Sequence, residues 1–357
     1  MSGAIRNAGD LAARGLVPAD RLPALERVAA RYAVSITPEV AGLIGDPDDG
    51  IGRQFVPRAE ELVTAPEERA DPIGDEAHAP VPGIVHRYPD RVLLKPLHVC
   101  PVYCRFCFRR EVVGPDGQGS LTEAELDAAL AYIAARPQIW EVVVTGGDPL
   151  VLSPRRLGRI AASLKDIPHV RVLRLHTRVP VVDPARVDAA LIAALKSFEG
   201  AVFVALHANH PREFSDDARG AIARLIDAGI PMVSQSVLLA GINDDPDTLC
   251  ALMRAFVENR IKPYYLHHGD LAPGTGHLRT TLDHGRDLMR AMRGRLSGLA
   301  QPTYVLDIPG GYGKVPVGPN YLAGGEAGWT VTDPTGATHA YPPKTEEETP
   351  CAGSGDG

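Results

Sequence analysis

From residue 92 onward, short β-rich runs alternate with helical patterns six times over, and no other feature narrows the accessible folds so sharply. The runs cover residues 92–99, 139–145, 171–177, 201–208, 231–239 and 262–270. Strands joined by helical crossovers run parallel. A right-handed series of six such units closes, or partly closes, into a barrel. The intervening segments agree. Over residues 121–136, Leu126, Ala129, Leu130 and Ile133 recur at helical spacing, and Thr122 with Glu125 three residues on makes a capping box. Over residues 183–198, Asp183 and Pro184 suit the N-cap and first turn of a second helix.

In barrels of this kind the chemistry lies at the C-terminal ends of the strands. Here those ends carry a cysteine loop, then Gly146-Gly147-Asp148-Pro149, then His176 and Arg178. The later ends carry His207, Asn209 and His210, then Gln235 and Asn243, then His267, His268 and Asp270. Loops that merely solvate a surface account for one or two such sets, but not for six in succession.

The cysteine loop is the most specific of them. Cys100, Cys104 and Cys107 stand as Cys-x-x-x-Cys-x-x-Cys within HVCPVYCRFCFRR. Three thiolates can hold three irons of a [4Fe–4S] cluster, leaving the fourth iron open for chemistry. Structural zinc and three unrelated buried thiols are the alternatives, and zinc favours a second ligand pair that this chain lacks. A second segment, residues 308–316, is dense in glycine and ends on Lys314. A lysine so displayed can form a Schiff base with a carbonyl cofactor, above all pyridoxal phosphate (PLP), although a glycine-rich turn with a surface lysine reads the same way. The order of residues excludes a P-loop. In HRYPDRVL, Arg87 and Arg91 are four apart and could converge on a phosphate.

Composition sets the frame. A chain of 357 residues with 45% hydrophobic side chains holds one large α/β domain with appendages, or two domains. Its net charge of −7 gives no reason to expect nucleic acid, and no apolar run approaches the ~20 residues of a membrane span. Five cysteines, three in one motif and the others at Cys250 and Cys351, are no disulfide framework. The start lacks a secretion signal, so a cytoplasmic location is expected. Residues 1–80 read as a helical region, with 64–83 an irregular, Pro-rich surface connection. The barrel then spans 81–300, a segment with Lys314 and a hairpin spans 301–343, and a disordered polar tail spans 344–357.

Taken in order, HRYPDRVL, C-x-x-x-C-x-x-C-x-R-R, GGDPL, PYYLHHGD and DIPGGYGK resemble the lysine 2,3-aminomutases of the radical S-adenosylmethionine (SAM) superfamily, from about residue 10 to residue 342. The resemblance implies a partial (β/α)6 TIM-type barrel with an N-terminal helical region and a C-terminal extension. It implies that Cys100, Cys104 and Cys107 ligate a [4Fe–4S] cluster whose open iron takes SAM. Gly146, Gly147 and Asp148 would form the SAM-contacting turn, with His207 and Gln235 as further contacts. Lys314 would be the Schiff-base lysine of PLP, held by Arg87, Tyr88 and Arg91. Arg109 would pair with the substrate carboxylate, and Asp270 and Asp307 with the distal ammonium of lysine. Relatives acting on glutamate would need neutral or basic residues at those two positions.

The same likeness implies a one-electron reductant of the flavodoxin or ferredoxin type and a homo-oligomer. Departures also matter. Asp245 stands where clostridial-type members carry a zinc-binding cysteine, and the tail offers only Cys351, so structural zinc is expected to be absent. The short chain, CRFCFRR and SQSVLL resemble the branch that modifies a lysine within translation elongation factor P. Three readings follow: an isomerase of free L-lysine giving β-lysine, the same reaction in a factor P pathway, or a non-catalytic iron–sulfur redox or binding protein. Lys314 argues against the third.

Overall fold

The computed structural model describes residues 3–114, 119–325 and 328–343. Its centre is one nine-stranded sheet: β1 Ile84–Tyr88, β2 Arg91–Leu97, β3 Glu141–Gly146, β4 Val172–Thr177, β5 Ala201–His207, β6 Met232–Val237, β7 Ile261–His267, β8 Thr303–Ile308 and β9 Gly313–Pro316. The strands lie in chain order. Strands β2 to β8 are parallel, and β1 and β9 pair antiparallel at the two edges. Each crossover therefore advances the sheet by one strand in the same sense, which rolls it into a partial barrel.

All six expected strands are present within a few residues. They were readable because strands buried on both faces are near-continuous apolar runs, as in Val142, Val143 and Val144, each at most 1% exposed. The sheet also extends beyond them. Residues 303–308, expected in the C-terminal segment, form a seventh parallel strand against β7. HRYPDRVL, expected as a segment ahead of the first strand, is the β1–β2 hairpin, with Tyr88 opposite Arg91 and Pro89-Asp90 at the turn.

The helix Glu123–Ala134 is capped as expected: Glu125 N donates to Thr122 Oγ1 at 3.2 Å and Thr122 N to Glu125 Oε2 at 2.8 Å. Leu126, Ala129 and Ile133 are buried, while Leu130 packs only partly. The second helix differs from expectation. Asp183-Pro184 opens only a single 3-10 turn, Pro184–Arg186, and the Asp183 side chain caps nothing. The α-helix is Ala189–Leu195, started by Asp188, whose Oδ1 accepts from Leu191 N at 2.8 Å. Asp188 supplies a better cap directly after Val187, which the chain turns inward to bury completely.

In the N-terminal region the helix Leu22–Arg31 buries Leu25 and Val28, and Thr37 caps Pro38–Leu43. Its apolar residues join those of the barrel in one continuous core from Ile5 to Tyr304. The expected hairpin near the C-terminus is present as Gly328–Thr332 and Thr338–Tyr341, extended by Leu322–Gly325 to three strands. The tail 344–357, with Cys351, lies outside the described residues. Among the described residues no helix is long and apolar enough to cross a membrane.

Candidate active site

The cysteine loop leaves the end of β2 and is fixed from both sides. Gly147 N donates to Leu97 O at 2.7 Å, and Asp148 N to Val99 O at 3.0 Å. A Cβ on Gly147 would stand 2.2 Å from Val99 O, so only glycine allows the two backbones to meet. From the N-terminal region, Gln54 O accepts from Arg105 N at 2.8 Å and Ser35 O from Tyr103 N at 3.0 Å. Beneath the loop, Glu61 is fully buried and pairs with both Arg105 and Arg110. Burial opposes its charge, but the two guanidiniums hold its carboxyl below the usual range.

Cys100, Cys104 and Cys107 are free thiols that line one cavity. Burial pushes the Cys107 thiol up to about 11, with Cys104 next among the causes. Cys100 is raised well above the usual thiol range by burial, then by Asp148 and the other two sulfurs. The three therefore sense one another, and binding iron must displace their protons. Among the described residues no group of three or more His, Cys, Asp or Glu side chains converges on a single metal ion. A cluster asks for something else, one thiolate for each of three irons, and three free thiols around one cavity fit it.

Arg178 follows β4 and reaches this loop. It is 6% exposed, and its Nη1 lies 2.9 Å from Cys104 Sγ. Its Nη2 donates to Gln54 Oε1 at 3.0 Å and to Glu213. The Asp148 carboxylate, expected at the SAM turn, accepts from Leu150 N at 3.0 Å, Thr177 Oγ1 at 2.7 Å and Arg178 N at 2.7 Å. Here it ties the β3 turn to the end of β4. On the next strands His207 pairs in register with Gln235. The His207 ring packs 5.6 Å from Phe106, its Nε2 is buried without a partner, and burial holds it neutral, well below the ordinary histidine range.

A second constellation gathers around Lys314 on β9. Its backbone N–H donates to the Tyr88 hydroxyl at 2.8 Å. Its Nζ pairs with Asp307 and lies 3.2 Å from His267 Nδ1. The Asp307 carboxyl, though buried, is held far below its usual range by His267 and Lys314. Asp270 moves the other way: burial, then the neighbouring Asp307 charge, push it up to about 7. Arg109 donates to Asp75 Oδ2 from Nη2 at 2.8 Å and Nε at 3.2 Å, and both residues lie close enough to Asp270 to act on its charge. Lys95 Nζ stands 3.6 Å from the same carboxylate and Arg87 3.4 Å from its other oxygen.

Sequence reasoning missed Asp75, Lys95 and Glu61. Asp75 lies in the 64–83 stretch, expected at the surface, yet is 6% exposed. That stretch packs on the glycine loop: a Cβ on Gly74 would stand 2.5 Å from Gly311 N, and His78 Nε2 lies 3.0 Å from Gly311 O. Arg87 and Arg91 do not share a partner. Arg87 donates to Ile73 O at 2.6 Å, whereas Arg91 lies 3.9 Å over the Tyr88 ring and pairs with Asp90. The two sit on different strands of the hairpin, Arg87 on β1 and Arg91 on β2.

Residues 94–253 match the radical SAM superfamily and residues 289–343 the family described as lysine-2,3-aminomutase. The L-lysine 2,3-aminomutase of Acetoanaerobium sticklandii is 42% identical over 291 residues, covering 81% of this chain and 70% of that protein. The chain belongs to the lysine 2,3-aminomutase family. The L-lysine 2,3-aminomutase of Clostridium subterminale is 41% identical over the same shares of both chains. The glutamate 2,3-aminomutase of Clostridioides difficile is 36% identical over 84% of this chain and 70% of that one. Among solved structures, a radical SAM methyltransferase from Sphaerobacter thermophilus aligns at a TM-score of 0.43 with 20% identity, over 62% of this chain and 68% of that one.

Proposed function

We propose that this protein is an isomerase that moves the amino group of L-lysine from C2 to C3, giving β-lysine, with a [4Fe–4S] cluster, SAM and PLP as cofactors. When bound, the cluster and SAM supply a radical able to abstract hydrogen, and PLP supplies a carbonyl that takes up an amine. Cys100, Cys104 and Cys107 would hold the cluster, and Lys314 would hold PLP through its amine. The chain's own part is to orient the substrate and exclude water.

The observation that carries the choice of lysine is two acids close to one ammonium: Asp307 pairs with Lys314, and Asp270 stands near enough to feel both charges. With Lys314 committed to the cofactor, Asp307 is left needing a cation, and the distal ammonium of lysine supplies one. Beside them, Arg87, Lys95 and Arg109 surround the single carboxylate of Asp75, a surplus of positive charge that suits the substrate carboxylate. A pair of acids next to a separate set of cations favours an amino acid with a basic side chain. Glutamate would bring a second carboxylate against Asp270 and Asp307.

Free lysine is favoured over a factor P pathway. Within CRFCFRR, Arg105 and Arg110 are engaged with Glu61 beneath the loop, which leaves Arg109 to meet a substrate carboxylate beside Asp75. The reading calls for a one-electron reductant of the flavodoxin or ferredoxin type. Anaerobically reconstituted protein with SAM, PLP, dithionite and L-lysine, read by chromatography and mass spectrometry, is the test. β-Lysine is expected. Turnover of L-glutamate in place of lysine, or β-lysyl product only with factor P and its ligase, would overturn the assignment.

A further inference from the structure

We propose that Arg178 is a positioning residue for the iron–sulfur cluster: its clamped guanidinium donates an N–H to the sulfur of Cys104 and raises the cluster's reduction potential. The inference rests on the cluster assignment above and adds a residue that this assignment does not use. Three features set Arg178 apart from an ordinary buried ion pair. Its Nη1 is aimed at a ligand sulfur, 2.9 Å away. Its Nη2 is occupied by Gln54 and Glu213, so the group cannot swing off the sulfur without breaking both contacts. Glu213 is itself fixed, accepting from Asn209 N at 2.8 Å, His210 N at 3.0 Å and Gln54 Nε2 at 3.2 Å. The rings of Phe55 and Phe106, 4.9 and 5.5 Å from the guanidinium carbon, line its sides with apolar surface.

The direction follows from charge. Reduction adds an electron to the cluster and its thiolates, and a cation donating a hydrogen bond to one sulfur stabilises the reduced state more than the oxidised one. Glu213, on the far side of the guanidinium, works against this by a smaller amount because it is further from the sulfur. The two residues should therefore shift the potential in opposite directions. A purely structural link between the N-terminal region and the barrel would not.

The test is an EPR-monitored redox titration of the reconstituted protein, with iron and sulfide content measured on each sample. Arg178→Gln should make reduction about tenfold harder, a fall of about 59 mV for a one-electron couple. Glu213→Gln should shift the potential upward. Arg178→Lys keeps the charge but loses the rigid planar fork that holds Nη1 on the sulfur while Nη2 pairs with Glu213, so its potential should also fall. Should Arg178→Gln fail to assemble a cluster, parent against Arg178→Lys decides the question. Unchanged potentials at full cluster content would overturn the role of Arg178. A parent protein that assembles no [4Fe–4S] cluster would instead overturn the cluster assignment beneath it.

Discussion

Asp270 should make substrate binding depend on pH in the neutral range, and Asp270→Asn should remove that dependence. Its carboxyl is pushed up to about 7, first by burial and then by the charge of Asp307, while the Lys314 ammonium works the other way, so tying that amine to a cofactor moves the carboxyl further up. Three pK units above an ordinary aspartate correspond to about 4 kcal/mol between the protonation states, an upper bound because the side chain is only half-buried. An ammonium lodged beside the pair requires the carboxylate, so below pH 7 each cation bound must displace a proton. At pH 6 a group of pKa about 7 is roughly nine-tenths protonated, which weakens binding about tenfold relative to pH 8. The α-amine of lysine titrates too, but equally in both proteins, and the ratio of parent to variant cancels it. Binding of L-lysine to the PLP-loaded protein by calorimetry at pH 6, 7 and 8 is the assay. Stability runs with the opposite sign. The unfolded chain loses this proton near pH 4 and the folded one near 7, so a penalty grows across that window and is complete above it. Asp270→Asn should therefore melt higher than the parent at pH 8 and gain less at pH 5. A parent-to-variant binding ratio that stays flat from pH 6 to 8 would refute the argument.

Lys314→Ala should lose the borohydride-trapped adduct with PLP, read by peptide mass spectrometry, and recovery of the label on another lysine would move the site. Glu61→Gln should destabilise the fold by about 3–5 kcal/mol, because Arg105 and Arg110 would keep their charges beside a neutral amide in a buried place. Thermal melts give that number directly. Gly147→Ala should melt early and bind little iron, since its methyl would overlap Val99 O at the root of the cysteine loop; full iron content at the parental melting temperature would contradict the packing described for that turn.

What the sequence made legible was what local chemistry encodes. The Thr122–Glu125 capping box, the apolar runs of β3 and the cysteine spacing each declare themselves within a few residues. The start of the helix near residue 188 was misjudged because Asp183-Pro184 and Asp188 are both good caps, and burial of Val187 decides between them. Glu61 stayed hidden for a different reason. Its partners are 44 and 49 residues away, and nothing in its own neighbourhood marks a buried carboxylate. Asp75 was obscured by its setting, a Pro-rich stretch whose composition reads as surface although its backbone packs on the glycine loop. Arg87 and Arg91 were visible as residues, but their separate partners follow from the hairpin that places them on facing strands.

The bond between Lys314 N and the Tyr88 hydroxyl has a mechanical meaning as well as a chemical one. Tyr88 lies on β1 and Lys314 on β9, the two free margins of a sheet that no backbone ladder closes. That side-chain hydrogen bond thus acts as a buckle of an open cuff, with Lys314 built into it. Each strand from β2 to β8 is held by a ladder on both sides, whereas the margins are held on one. The 64–83 stretch adds a second fastening, through Gly74 and His78 against Gly311, so the margin beside Lys314 is closed by local contacts that leave all eight ladders, and the frame that fixes the cysteine loop, to carry none of that load.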